Sequence, residues 1–210
     1  AHGWMEDAWC SFLGGLVKRG LRDVMLVISD AHIGLKKAVR RVFNGASWQR
    51  CRVHFMRNVL SRVPRDAQGW VVAALRQVFA LSDPTEAQKA MNSLVSSLSK
   101  KYPQAAAIIE DGQDDVLTYM AFPREHWRQI YSTNPLERLN KEIRRRTDVV
   151  GILPSDSSAT RLIGALLSEQ NDEWQVSRRY FSVASMQKTI AMKTGEELDG
   201  LTSKAALVTK

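Results

Sequence analysis

A chain of 210 residues with 44% hydrophobic residues has apolar mass for a packed core, which excludes wholesale disorder, and it holds no apolar run of membrane-spanning length. Its formal net charge is +8, and the charge is unevenly placed. From Ala31 to Arg65 the basic residues Lys36, Lys37, Arg40, Arg41, Arg50, Arg52, Arg57, Arg62 and Arg65 occur without one Asp or Glu. A surface of that kind suits a polyanion, most simply nucleic acid, rather than a lipid face, because the charges sit among segments that read as core elements. Cys10 and Cys51 are too few for a disulfide framework and point to a reducing, intracellular setting, and Ala1-His2-Gly3-Trp4 lacks the order of a signal peptide.

In chain order, Trp4 to Arg19 reads as a helix with Ala8, Trp9, Phe12, Leu13, Leu16 and Val17 on one side, ended by Gly20. The run Val24 to Ile28, followed by Ser29-Asp30, reads as a buried parallel strand with a carboxylate at its carboxyl end. His32 to Phe43 is a helix closed by Asn44-Gly45, Ser47 to Cys51 a second short strand, and Val53 to Val63 a helix interrupted by Pro64. This alternation points to an α/β sheet, in which functional residues gather at the carboxyl ends of strands.

The middle of the chain changes character. Gly69 to Leu81 and Pro84 to Lys101 are amphipathic helices, the first with Trp70, Val71, Ala74, Leu75, Val78 and Phe79 as its apolar set, and shorter helices are expected near Pro103–Glu110 and Asp114–Phe122. A further helix starts near Asn134, then Gly151 to Pro154 forms a turn. Ser158 to about Tyr180 is a long helix with Leu162, Ile163, Leu166, Leu167 and Trp174 inward. From Ser182 the tail is small, polar and weakly periodic, which suggests mobility.

Three constellations could carry chemistry. Asp30, at a strand end, could bind a divalent metal or cap the next helix. Cys51-Arg52-Val53-His54 could share a zinc ion, but a structural zinc site needs four ligands and His2, His32, His126 and Cys10 are scattered; a buried Cys and a hydrogen-bonded His fit as well. Glu137, in Asn134-Pro135-Leu136-Glu137, has the spacing of a capping box, as does Asp83-Pro84-Thr85-Glu86. Leu136, Leu139 and Ile143 form an expected buried stripe there, and Glu137, Asn140, Lys141 and Arg144 a polar one that could set a metal beside a phosphate backbone. The chain contains no GxSxG or GxxxxGK[ST] pattern.

Four ordered stretches, LVISDAHIGLKKAV (Leu26–Val39), WQRCRVHFMRNVL (Trp48–Leu60), STNPLERLNKEIRRRTDVVGILPS (Ser132–Ser155) and RLIGALLSEQNDEWQVSRRY (Arg161–Tyr180), together resemble the Mutator-type bacterial insertion-sequence transposases. The resemblance implies an α/β fold, mostly helical overall. It would be a partial RNase H-like catalytic core interrupted by an all-helical insertion: residues 1–62 as the first part of the core, 63–131 as the insertion, 132–181 as the final core helices and 182–210 as a tail. It implies Asp30 and Glu137 as metal-binding carboxylates, a Mg²⁺ (or Mn²⁺) pair, and a C-x-x-H signature of Cys51 and His54, with His54 near DNA and the role of Cys51 open. It implies cleavage at element ends and 3′-hydroxyl strand transfer, with double-stranded DNA as partner, self-association and a cytoplasmic, nucleoid-associated location. Lys36, Lys37, Arg50, Arg52, Arg57, Arg138, Lys141, Arg144 and Arg145 are the expected phosphate contacts.

The pattern departs from the family in one place, since a DDE triad needs one more Asp. Asp23 precedes the strand that ends at Asp30, and seven residues at ~3.3 Å put them roughly 23 Å apart, too far to share metals about 4 Å apart. Asp7 falls in a helix. The expectation is therefore a segment with two of three carboxylates, inactive alone. The rival expectation is a non-catalytic DNA-binding or oligomerisation module, a remnant or regulator of an intact enzyme. A stand-alone nuclease needs the same missing carboxylate.

Overall fold

The computed structural model describes residues 3–176 and 181–194, with side chains for 5–176 and 181–192. The expectations for His2, for the end of the long helix near Tyr180 and for the tail beyond residue 194 lie outside the described residues. The chain divides into two compact units, Ala1–Thr133 and Asn134–Lys210.

In the first unit, helix α1 (Gly3–Lys18) precedes strand β1 (Leu26–Ser29), helix α2 (Ile33–Val42), strand β2 (Ser47–Arg50) and helix α3 (Arg52–Leu60). The strands pair in parallel, Leu26 opposite Ser47 and Ser29 opposite Arg50, as the helix–strand alternation predicts. Among the described residues the sheet has two strands, so β1 is half-buried along its length rather than fully buried as its apolar run suggests. Gly45, at φ +83°, makes the turn into β2.

Helix α1 packs on α2 through Trp9, Leu13 and Leu16, which join Leu35, Ala38, Val39, Phe43 and Trp48 in one core cluster. Those three share the i, i+4, i+7 stripe that one neighbouring helix can cover. The other half of the expected apolar side stays outside, with Phe12 57% exposed and Val17 at 37%.

A helical layer follows: α4 (Arg65–Ala80), α5 (Pro84–Ser99), α6 (Pro103–Leu117), two 3₁₀ turns (Thr118–Ala121 and Arg124–His126) and α7 (Trp127–Ile130). Asp83 caps α5 by accepting the Glu86 amide at 2.9 Å, as its Asp-Pro-x-Glu spelling predicts. The two short helices expected over 103–122 are instead one α-helix whose last turn tightens to 3₁₀. Helix α6 packs on α3, α5 and β2, so segments 1–62 and 63–131 share one interior. Its buried residues include Phe55, Val59, Val71, Leu75, Met91, Leu98, Ile109 and Val116.

The second unit contains α8 (Asn134–Val150), α9 (Asp156–Val176) and α10 (Val183–Thr194). The last is a correction: residues 183–194 of the supposed mobile tail are helical, with Ser185, Thr189 and Ala191 buried. Small residues such as these leave little hydrophobic periodicity to read. Leu136, expected in a buried stripe, is 56% exposed, and no residue of α8 is buried. Leu167 and Trp174 of α9, also expected inward, are 41% and 56% exposed.

Gly112, in α6, is a point of close approach. A Cβ there would press on Arg50 Nη1 and lie 3.0 Å from Phe55 Cε2, whereas one on Gly69 in α4 meets nothing within 4 Å. Gly112→Ala is therefore expected to destabilise the protein by about 1–3 kcal/mol, crowding outweighing helix propensity. Gly69→Ala is expected to stabilise it by about 0.5–1 kcal/mol. Urea denaturation of both variants reads the opposite signs directly.

Candidate active site

The carboxyl ends of β1 and β2 bring together Asp30, Arg50, Cys51 and residues 131–133. The amide of Cys51 donates to Ser29 O at 2.7 Å, extending the strand pairing by one step. Asp30 follows Ser29 and is exposed. One carboxylate oxygen accepts the neighbouring Ala31 amide at 2.7 Å. It does not cap α2: His32 does, its Nδ1 accepting the Leu35 amide at 3.0 Å while its ring stands edge-on to Trp9. The capping alternative for Asp30 is thereby replaced, and a carboxylate at a rigid strand end is left facing solvent. Such an oxygen donor suits a hard divalent cation.

A polar scaffold lies beneath it. Ser29 Oγ donates to Asp30 O at 2.8 Å and accepts from Trp48 Nε1 at 2.9 Å. Over the Trp48 ring, at 4.9 Å from its centroid, sits Lys36 Nζ, which also bonds both oxygens of Asp115 at 2.7 and 2.5 Å. Arg50 is half-buried, with its guanidinium 5.1 Å from the Phe55 ring centroid. Burial pulls its pKa below the ordinary value, and Asp30, then Asp115 and Asp111, act against that. Arg52 lies 3.7 Å from the Tyr131 ring centroid and 4.8 Å from that of Phe79. Lys36, Arg50 and Arg52, three of the expected phosphate contacts, are thus committed within the first unit. The sign and spacing of their charges could not distinguish an inward guanidinium from an outward one.

Cys51 is fully buried, and its sulfur accepts from both the backbone amide and Oγ1 of Thr133, each at 3.4 Å. One residue on, the Arg52 amide donates to Tyr131 O at 2.9 Å. The segment that leads into α8 is therefore anchored to the end of β2 through the C-x-x-H signature. The cysteine's part, open in the sequence, is that of an acceptor holding a loop. His54, in the first turn of α3, is half-buried. Among the described residues no three His, Cys, Asp or Glu side chains cluster as a metal site.

Glu137 lies in the first turn of α8 and is partly exposed. The helix begins at Asn134 itself, one residue before the capping-box reading requires, so Glu137 is its fourth residue rather than its third. Of the other expected contacts on α8, Arg138, Lys141, Arg144 and Arg145 are exposed. Arg145 and Arg146 both bond Glu142, and Arg146 reaches Glu169 on α9 at 3.1 Å. Those bonds, Arg145's first, hold the Glu142 carboxyl down at about 2. In the first unit Arg57 is exposed, and Lys37 is exposed with Glu6 4.0 Å away.

Residues 2–177 match the family model described as Transposase, Mutator family. The chain is 41% identical over 189 residues to the transposase for insertion sequence element IS1081 of Mycobacterium tuberculosis, covering 90% of this chain and 46% of that protein. It is 41% identical over 181 residues to the transposase for insertion sequence element IS256 in transposon Tn4001 of Staphylococcus aureus, covering 85% and 46%. To the transposase for insertion sequence element ISRM5 of Rhizobium meliloti it is 40% identical over 183 residues, covering 87% and 46%. The chain thus spans about half the length of the curated relatives it matches.

Cys51→Ala removes the acceptor for two Thr133 donors and is expected to cost about 1–3 kcal/mol. Amide hydrogen exchange at Thr133 should accelerate in that variant and return toward the parent rate in Cys51→Ser, which restores an acceptor.

Proposed function

Because the chain belongs to the Mutator family of transposases, we propose that it supplies part of the catalytic domain of a DNA strand-transferring enzyme, with Asp30 and Glu137 as metal-binding carboxylates. The observation that carries this reading is Asp30 itself: an exposed carboxylate, at the end of a parallel strand, that is not spent on capping the following helix. In this reading β1 and β2 belong to an RNase H-like core and the helical layer from α4 to α7 is an insertion into it. A bound Mg²⁺ or Mn²⁺ pair would activate the attacking hydroxyl and stabilise the leaving oxygen of a phosphodiester.

The chain's own residues divide the remaining work. The strand pairing and the Ser29–Trp48 hydrogen bond fix the backbone that presents Asp30. Arg50 supplies a half-buried positive charge near it. Cys51 holds the start of the segment that leads to Glu137. Exposed Arg57, Arg138, Lys141 and Arg144 take phosphates of duplex DNA, which positions the duplex without reading its sequence and weakens binding as salt rises. His54 stands one helical turn from Cys51 and orients a phosphate.

A second reading has its own support. The exposed cations Arg57, Arg138, Lys141 and Arg144 could serve it without any carboxylate. On that view the 210 residues act as a DNA-binding or self-associating module. Under either reading, the isolated chain binds DNA and does not join ends.

The test uses a complete transposase of this family carrying this segment. Asp30→Asn and Glu137→Gln are each expected to abolish joining of labelled element ends to a plasmid in Mg²⁺, while gel-shift affinity for the ends is retained. Unchanged joining in both variants would establish the non-catalytic reading.

A further inference from the structure

Three of the tryptophans are committed within the first unit. Trp9 stands edge-on to Phe12 and His32, Trp48 donates to Ser29 beneath Lys36, and Trp127 donates to Phe122 O and stands edge-on to Tyr119. Two described tryptophans are instead largely in solvent, Trp70 at 50% and Trp174 at 56%. Their surroundings differ. Trp70 borders a groove between α4 and α5 whose lining carries no charge. Trp174 borders a groove of about 250 Å³ between α8 and α9 lined also by Pro135, Arg138, Leu139 and Gln170.

Three features of that second groove point the same way. Trp174 is 56% exposed and makes no ring or cation contact among the described residues. Arg138 has no acidic partner among them, unlike Arg145 and Arg146 on the same helix, which share Glu142. Gln170 spends its amide N–H on Glu173 at 2.8 Å, which leaves its carbonyl oxygen as an acceptor. A stacking plane, an uncommitted guanidinium and an oriented acceptor form the complement of one nucleotide: base face, phosphate and base edge. A base inside an intact duplex cannot use them, because both of its faces are stacked on neighbours.

We propose that the α8–α9 groove receives an unpaired DNA base, stacked on Trp174, with Arg138 on the adjoining phosphate and Gln170 at the base edge. The inference rests on the DNA-binding reading above and adds to it a preference for locally unpaired strands. The groove opens beside the helical turn that carries Glu137, with Pro135 and Arg138 flanking that residue in sequence.

Fluorescence anisotropy of the 210-residue chain tests this with two labelled duplexes of one sequence, one fully paired and one carrying a short unpaired overhang. The chain should prefer the overhang substrate. Trp174→Ala should weaken binding to it about 10- to 100-fold and leave the paired duplex unchanged, Trp174→Phe should retain most of the preference, and Arg138→Ala should weaken both. A preference that survives Trp174→Ala, or an equal loss on both substrates, would overturn the proposal. A chain that binds the paired duplex with no preference for the overhang also overturns it and leaves the DNA reading standing; binding to neither removes both. Photocrosslinking of a 5-iodouracil in the overhang provides a readout on the unsubstituted protein: the crosslink should map to Trp174, and one confined to the first unit contradicts the assignment.

Discussion

A single buried amide ties the helical layer to the strand pair. Gln49 is fully buried in β2, where its Nε2 donates to Arg50 O at 2.7 Å and to Val116 O at 2.8 Å, and its Oε1 accepts the Tyr119 amide at 2.7 Å. Val116 and Tyr119 flank the point where α6 gives way to a 3₁₀ turn, and a helix end leaves backbone groups without intrahelical partners. One side chain meets a donor and an acceptor there. An orphaned buried group costs about 1–3 kcal/mol, so this position ties the register of β2 to the end of α6. The Lys36–Asp115 pair adds a link from α2 to α6.

That constraint sets what the strand ends can do. With β2 fixed, Arg50 is directed into the interior against Phe55 and Gly112, and Cys51 meets Thr133. The basic residues, which the sequence presents alike, therefore separate by setting. Lys36, Arg50 and Arg52 hold the first unit together, whereas Arg57 and most of the basic residues of α8 remain at the surface. In the proposed function, exposed cations such as these and Lys37 are the ones placed to meet phosphates.

Much of the architecture was legible in the sequence. The apolar run before Asp30 and the alternation of helix and strand specified two parallel strands, and Asp83 with its following Pro specified a helix start to the residue. What escaped was decided by tertiary contact. Periodicity shows which residues could face a neighbour but not how many neighbours arrive, so Phe12, Leu136 and Trp174 were placed inward and lie outside. The α10 helix was hidden because its buried positions are Ser, Thr and Ala. Gln49 and Thr133 carried no signal at all, since a polar residue in a strand or loop declares nothing about a partner seventy or eighty positions away. At the candidate site, Asp30 was legible from its place after the strand, while the hydrogen-bonding part of Cys51 was not.

The central claim is that Asp30 and Glu137 bind divalent metal. Mn²⁺ titration of the isotopically labelled chain, followed by paramagnetic broadening of backbone amide resonances, addresses it most directly. The account predicts broadening centred on residues 29–31 and 136–138, reduced at both places by either Asp30→Asn or Glu137→Gln. Broadening that spreads evenly over acidic surface positions, unchanged in both variants, would contradict it.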